Sequence, residues 1–327
     1  MQVKGRIFIG GTGRSGTTIL SKILGKHNNI YRFPCETRFI IDPDGIIDLV
    51  PALSDKWSPY IGSKAVCRFK KMMYNLGETE IMAVKLRRKV MSEVLNRSPK
   101  KYLHFPLGDI IGKKQYFKEL NNFLDKLIDV EFKGLWVGTD SYLKNPKIFS
   151  TKKFAREEII NLSAEFINNL FTIPLKKQNK SFWVDHTPFN ILHATFLNEL
   201  FPDMKIIHIY RDIRDVISSY KTKNWGGNDA QDIILWQKQI LQRWLEVKTN
   251  LSENSYYEIK LEELIDNPKK NLKDIFRFIG IPFDEKVLQI GLNKGHIGRW
   301  KKDLIKEEID LVKKELFDIM KKYDYNW

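Results

Sequence analysis

Ile7-Phe8-Ile9-Gly10-Gly11-Thr12-Gly13-Arg14-Ser15-Gly16-Thr17-Thr18 is the stretch on which the fold turns. It reads as a buried strand over 5–10, a glycine-rich turn, and a helix from Thr17 to about His27, stopped by Asn28-Asn29. Glycines let backbone N–H groups close around an anion. The helix N-terminus adds partial positive charge, and the threonines add hydroxyl donors. The stretch is therefore a candidate phosphate cradle, set against the plainer reading of a turn that binds nothing. A Walker loop, G-x-x-x-x-G-K-[ST], would align its glycines with Gly11 and Gly16 and put its lysine at Thr17. Here the cation stands earlier, at Arg14.

Working outward, Ile30-Tyr31-Arg32-Phe33 reads as a second short strand, from which Pro34-Cys35-Glu36-Thr37-Arg38 leaves at the carboxyl end. Strands are also expected at 181–184, 205–210 and 255–260, with a helix near 272–279 closed by Gly280 and Pro282. In a parallel sheet the carboxyl ends share the rim where α/β ligand sites form. The stretch 42–180 differs. It has helical segments around 84–95, 115–130 and 156–171, many aromatic and basic residues, and no second β/α series. It reads as a mainly helical insertion, either lining an acceptor pocket or serving as scaffold.

The 327 residues suffice for one large α/β domain or two modest ones. A content of 43% hydrophobic and 12% aromatic residues argues for a folded globule rather than disorder. The formal charge of +15 suits a polyanionic ligand, nucleic acid or an acidic membrane surface equally, so it does not choose among them. Cys35 and Cys67 make no disulfide framework, no C-x-x-C spacing occurs, and the histidines show no metal-ligand spacing. No metal is expected. No apolar run approaches a membrane span, and no room precedes the first strand for a signal peptide. With Met1 as the natural start, the expected location is the cytoplasm of a bacterium.

Four further segments fit one site with the first loop. Tyr210-Arg211-Asp212-Ile213-Arg214-Asp215 leads to Ser218-Ser219, and Asn293-Lys294-Gly295-His296-Ile297-Gly298-Arg299-Trp300 lies near the C-terminal end. Trp183-Val184-Asp185-His186-Thr187-Pro188 and Phe33-Pro34-Cys35-Glu36-Thr37-Arg38 complete the set. Together, over roughly 5–40 and 181–301, they resemble the PAPS-dependent sulfotransferases, with PAPS denoting 3′-phosphoadenosine 5′-phosphosulfate.

The resemblance implies a P-loop-like three-layer α/β fold, a central parallel sheet flanked by helices, as a single domain over 1–327 with 42–180 inserted. It implies that Gly13, Arg14, Ser15, Gly16, Thr17 and Thr18 hold the 5′-phosphosulfate. Arg211 and Ser219 then grip the 3′-phosphate, and Lys294 and Gly295 belong to a loop, R-K-G-x-x-G-x-W in relatives, that closes over it. Asn293 departs from that pattern, which leaves Arg299 as a substitute cation. Leu261 stands where relatives have a tyrosine near the adenine. Glu36 falls on the catalytic base of glycan and tyrosylprotein sulfotransferases. A carboxylate is apt there, because the acceptor hydroxyl loses its proton as sulfur is attacked. His186 replaces the usual lysine, either as an imidazolium steadying the leaving oxygen or as a packing residue.

The implied reaction moves a sulfuryl group from PAPS to a hydroxyl or amine of a small-molecule, glycan, lipid or peptide acceptor. It releases the product PAP, requires no metal, and relies with Arg14, Glu36 and His186 on positioning and charge absorption. The alternatives are a P-loop kinase, which needs a lysine at Thr17 and a strand-end aspartate, and a non-catalytic PAP- or nucleic-acid-binding protein. No nucleic-acid partner is expected, since that reading gives Glu36 no reason to follow the second strand.

Overall fold

The computed structural model describes residues 3–78, 102, 105–134, 147–223, 226–227, 229–292 and 297–327. Among these residues the strands are β1 (Gly5–Gly10), β2 (Ile30–Arg32), β3 (Ile128–Lys133), β4 (Lys147–Thr151), β5 (Phe182–Asp185), β6 (Lys205–Tyr210) and β7 (Tyr256–Lys260). The longer helices are α1 (Thr17–Leu24), α2 (Ile46–Leu53), α3 (Pro59–Gly77), α4 (Lys113–Leu127), α5 (Arg156–Lys177), α6 (Ile213–Lys221), α7 (Ala230–Lys248), α8 (Pro268–Ile279) and α9 (Lys306–Lys322). The chain divides into two compact units, Pro34–Gln178 and Val3–Phe33 with Asn179–Trp327.

The second of these is the sheet unit. Its five strands run in the order β2-β5-β1-β6-β7, all parallel, with Phe8 of β1 opposite Asp185 on one side and Ile206 on the other. A parallel sheet must be covered on both faces, and the sequence supplies apolar side chains in both directions. Ile7, Ile9, Val184, Ile207, Ile209 and Ile259 pack one face against Leu20 and Leu24 of α1 and Leu272, Ile275 and Phe276 of α8. On the other face Phe8, Trp183 and Phe201 meet edge-on or stacked, with ring centroids 5.1 to 6.3 Å apart. There His208 and Glu258 also face Trp244 of α7.

The first helix stops at Leu24, short of the His27 expected from sequence. Gly25 packs so closely on the Arg32 side chain that an added Cβ would stand 2.6 Å from the Arg32 Cβ. Lys26 and His27 donate to carbonyls only three residues back, which tightens the chain out of the helix. The expected strands at 205–210 and 255–260 lie at Lys205–Tyr210 and Tyr256–Lys260, and the helix that Gly280 closes begins earlier, at Pro268.

The unit Pro34–Gln178 is built on stacked phenylalanines. Phe123 of α4 and Phe166 of α5 lie face to face at 4.4 Å, with Phe39 and Phe69 edge-on to Phe166. The expected helix at 115–130 is α4, but it ends at Leu127. Residues 128–133 turn extended and pair antiparallel with β4. The expected 156–171 helix continues to Lys177, its first turn carrying Glu157 and Glu158 and its last Lys176 and Lys177, each matched to the helix dipole. The expected helix at 84–95 lies outside the described residues. No helix among the described residues is long and apolar enough to cross a membrane.

Candidate active site

β1 delivers the chain to the phosphate loop at Gly10. A Cβ there would stand 2.6 Å from the Ile191 methyl, so the strand end abuts the turn after β5, and the Gly11 N–H donates to the Pro188 carbonyl at 2.7 Å. Gly13 (φ 71°), Arg14 (φ 55°) and Gly16 (φ 110°) are all left-handed. This is the backbone pattern that gathers N–H groups into an anion-binding concavity ahead of a helix. At Gly13 a side chain would strike the Tyr220 hydroxyl, which itself donates to the Thr12 carbonyl at 3.1 Å. Gly16 is closed in by Leu261 and Ile209. The Ser15 hydroxyl is fully buried, faces Gly11 and has no hydrogen-bond partner among the described residues. Any part Ser15 takes in holding an anion therefore falls to its backbone N–H.

The strand-to-helix turn after β6 brings the second anion group alongside. Arg14 Nε donates to Ser219 Oγ at 2.9 Å, and Arg211 Nη1 reaches the Arg14 carbonyl at 3.4 Å. So the loop cation and the two residues assigned to the 3′-phosphate form one cluster. Asp212 caps α6 through the Arg214 N–H and holds the Arg214 guanidinium in a two-pronged bond at 2.7 and 2.9 Å. That guanidinium also lies 4.1 Å above the Trp300 ring and 5.2 Å from that of Trp327. Asp215, fully buried, pairs with Arg211 Nη2 at 3.1 Å. The sequence alone gives it no role, although its position four residues after Arg211 is a usable signal.

A cavity of about 370 Å³ opens on this cluster. Its lining combines the polar side chains of Arg14, Thr17, Thr18 and Arg211 with the aliphatic ones of Leu261, Ile265, Leu292 and Ile297. Lys294 and Gly295 lie outside the described residues. Arg299, the substitute cation, is engaged with Asp303 at 2.6 Å.

At the end of β5, Asp185 is buried and accepts from Thr187 Oγ1 at 3.2 Å and from Asn190 Nδ2 at 2.9 Å, and the Asn190 amide also reaches the Ile9 carbonyl. This brace ties β5 to β1. His186, 3% exposed, has no hydrogen-bond partner at Nδ1 among the described residues. Burial pushes its proton affinity down, Asp185 opposes this, and Arg32 and Lys22 add to it. Burial thus works against the imidazolium considered from sequence, and Asp185 works for it.

His208 shares that direction. It is fully buried on β6, and its desolvation outweighs the Glu258 carboxylate 2.8 Å from Nδ1. A depressed folded-state value means that the unfolded chain binds more protons below the ordinary histidine pKa of about 6.5, so stability is lost as pH falls through that range. The melting midpoint should fall as pH drops from about 6.5 toward 5, and a His208→Gln variant should show a shallower fall than wild type. An identical slope would remove His208 from the account.

In the unit Pro34–Gln178, Glu36 pairs with Arg38 Nη1 at 2.8 Å, and Arg38 Nε binds Asp42 at 2.9 Å. Tyr102 donates to the same Asp42 oxygen at 3.0 Å. Arg38 is left-handed, with φ 58°, an uncommon conformation for a branched cation and one that sets its fork between two carboxylates.

The glycine-rich loop and the five-stranded parallel sheet flanked by helices define an α/β protein of the P-loop-like kind. The sequence matches the sulfotransferase family over residues 118–285, half of the chain, and the protein belongs to that family. It is 26% identical over 106 residues to protein-tyrosine sulfotransferase A of Caenorhabditis elegans, a stretch covering 31% of this chain and 28% of that protein. The match therefore spans less than a third of that relative. The sulfotransferase domain of the Synechococcus PCC 7002 olefin synthase has the same fold, with a TM-score of 0.54 at 14% identity over 100% of this chain and 96% of that one.

Proposed function

We propose that the protein transfers a sulfuryl group from PAPS to an acceptor hydroxyl and releases PAP. The observation that carries this reading is the mixed polar and aliphatic lining of the cavity. Arg14, Arg211 and the hydroxyls of Thr17 and Thr18 suit the phosphate and sulfate groups, while the aliphatic walls of Leu261, Ile265, Leu292 and Ile297 suit a nucleobase without a stacking ring. The acceptor oxygen attacks sulfur as the bond to the bridging oxygen breaks, leaving its electron pair on the 5′-phosphate of PAP. Arg14 and the loop N–H groups absorb that charge. Glu36 takes the acceptor proton, a role supported by its place after the second strand and by the resemblance of its segment. His186, at the carboxyl end of β5, steadies the leaving oxygen in place of the family lysine. The single domain carries 42–180 as an insertion serving the acceptor, which is a small molecule, glycan, lipid or peptide.

Ligand-dependent stabilisation separates this reading from its rivals. PAP at a hundredfold excess over its dissociation constant should stabilise the fold by about 2.7 kcal/mol, with ATP–Mg²⁺ and a DNA oligonucleotide much weaker. Preferential stabilisation by ATP–Mg²⁺ would instead favour a kinase, and by the oligonucleotide a nucleic-acid binder.

A further inference from the structure

Asp215 occupies a place that the reaction chemistry does not call for. Its carboxylate is fully buried in the first turn of α6, and it meets three donors from two distant parts of the chain. Oδ2 accepts from the Gly298 N–H at 2.8 Å and pairs with Arg211 Nη2 at 3.1 Å, while Oδ1 accepts from the Trp300 N–H at 3.0 Å. The 297–300 segment is fastened to α6 elsewhere as well, through Trp300 under the Arg214 guanidinium and through Asp303, which receives both Ser218 and Arg299. Those fastenings do not touch the cavity-lining residues. Asp215 does, because it bonds Arg211, which lines the cavity, and the Gly298 N–H, next to Ile297, which also lines it.

We propose that Asp215 is a positioning residue that couples occupancy of the 3′-phosphate site to the set of the 297–300 segment. This rests on the reading of the cavity as a PAP site. One carboxylate oxygen is divided between a guanidinium and a backbone N–H. When a 3′-phosphate draws the Arg211 fork toward itself, more of that oxygen becomes available to Gly298. The backbone bond tightens, and Ile297 is held against the nucleoside. Filling the 3′-phosphate site thereby firms the wall at Ile297. The charge on Asp215 also keeps Arg211 oriented, since a buried fork held by a carboxylate has fewer alternative rotamers than one facing solvent.

The test compares PAP with adenosine 5′-monophosphate, which lacks the 3′-phosphate. In Asp215→Asn the shape and one acceptor oxygen survive but the charge is lost. PAP affinity should fall about tenfold while that of the monophosphate stays within about twofold. A residue that only stabilised the fold would lower the melting point without changing this ratio. Independently of any variant, PAP binding to wild-type protein should slow amide exchange at Gly298 and Trp300. An unchanged ratio in the folded variant, or unchanged or faster exchange at those two amides, overturns the coupling alone. Equal wild-type affinity for the two nucleotides overturns it together with the reading of the site.

Discussion

Glu36→Gln should lower turnover by about 10²–10⁴-fold, the usual contribution of a positioned general base, while leaving PAP affinity unchanged. The substitution keeps the shape, and its amide oxygen can still accept from Arg38, which holds Glu36 at 2.8 Å in the native protein. Asp42 and Tyr102 lie on the far side of the same guanidinium and are untouched, so the Arg38 fork keeps its anchor. The loss should thus fall on turnover rather than on folding. The measurement is single-turnover transfer from PAPS to an acceptor found by screening, alongside PAP affinity in the same preparation. Turnover like that of the wild type would remove Glu36 from the mechanism. Loss of PAP binding would make it a structural residue.

Arg211→Ala should weaken PAP binding by about 1.5–3 kcal/mol, or roughly 10- to 150-fold. The guanidinium is buried, pairs with Asp215 and touches the Arg14 carbonyl, so its loss strips a charge-assisted contact from the ligand and a cation from Asp215. Asp215 retains two backbone donors, which limits the damage to the fold. Calorimetric titration with PAP, with the melting point as a control, measures both effects. Unchanged affinity would overturn the assignment of the 3′-phosphate to Arg211.

The sheet was legible because its strands are short apolar runs with unmistakable ends: Ile7-Phe8-Ile9 runs into glycines, and Ile206 to Tyr210 into Arg211-Asp212. The grouping of Arg14, Arg211 and Ser219 was legible only through the family resemblance, since no local rule joins residues some 200 positions apart. The β3–β4 hairpin was not. Ile128 to Lys133 alternates apolar and charged residues directly after an amphipathic helix, and only pairing with 147–151 decides in favour of extended chain. Asp185 and Asp215 receive no role from the sequence because their meaning lies in partners elsewhere: Asn190 bonded on to Ile9, and the amides of Gly298 and Trp300. The His186 side chain is visible in the sequence, but the burial that lowers its proton affinity is not, because burial is a property of the fold.

The position of β1 at the centre of the sheet carries a consequence for synthesis of the protein. It leaves the ribosome well before its partners β5 and β6, which follow much later in the chain. At about 5–20 residues per second, the roughly 200 residues separating Phe8 from Ile206 take on the order of 10–40 s to emerge. Until β5 emerges, late in that interval, Ile7-Phe8-Ile9 has neither neighbour to pair with and exposes an apolar, β-prone segment. Nascent chains halted before β6 should therefore be held by chaperones or aggregate, and the full sheet should form late, limited by the arrival of its last central strand rather than by its first.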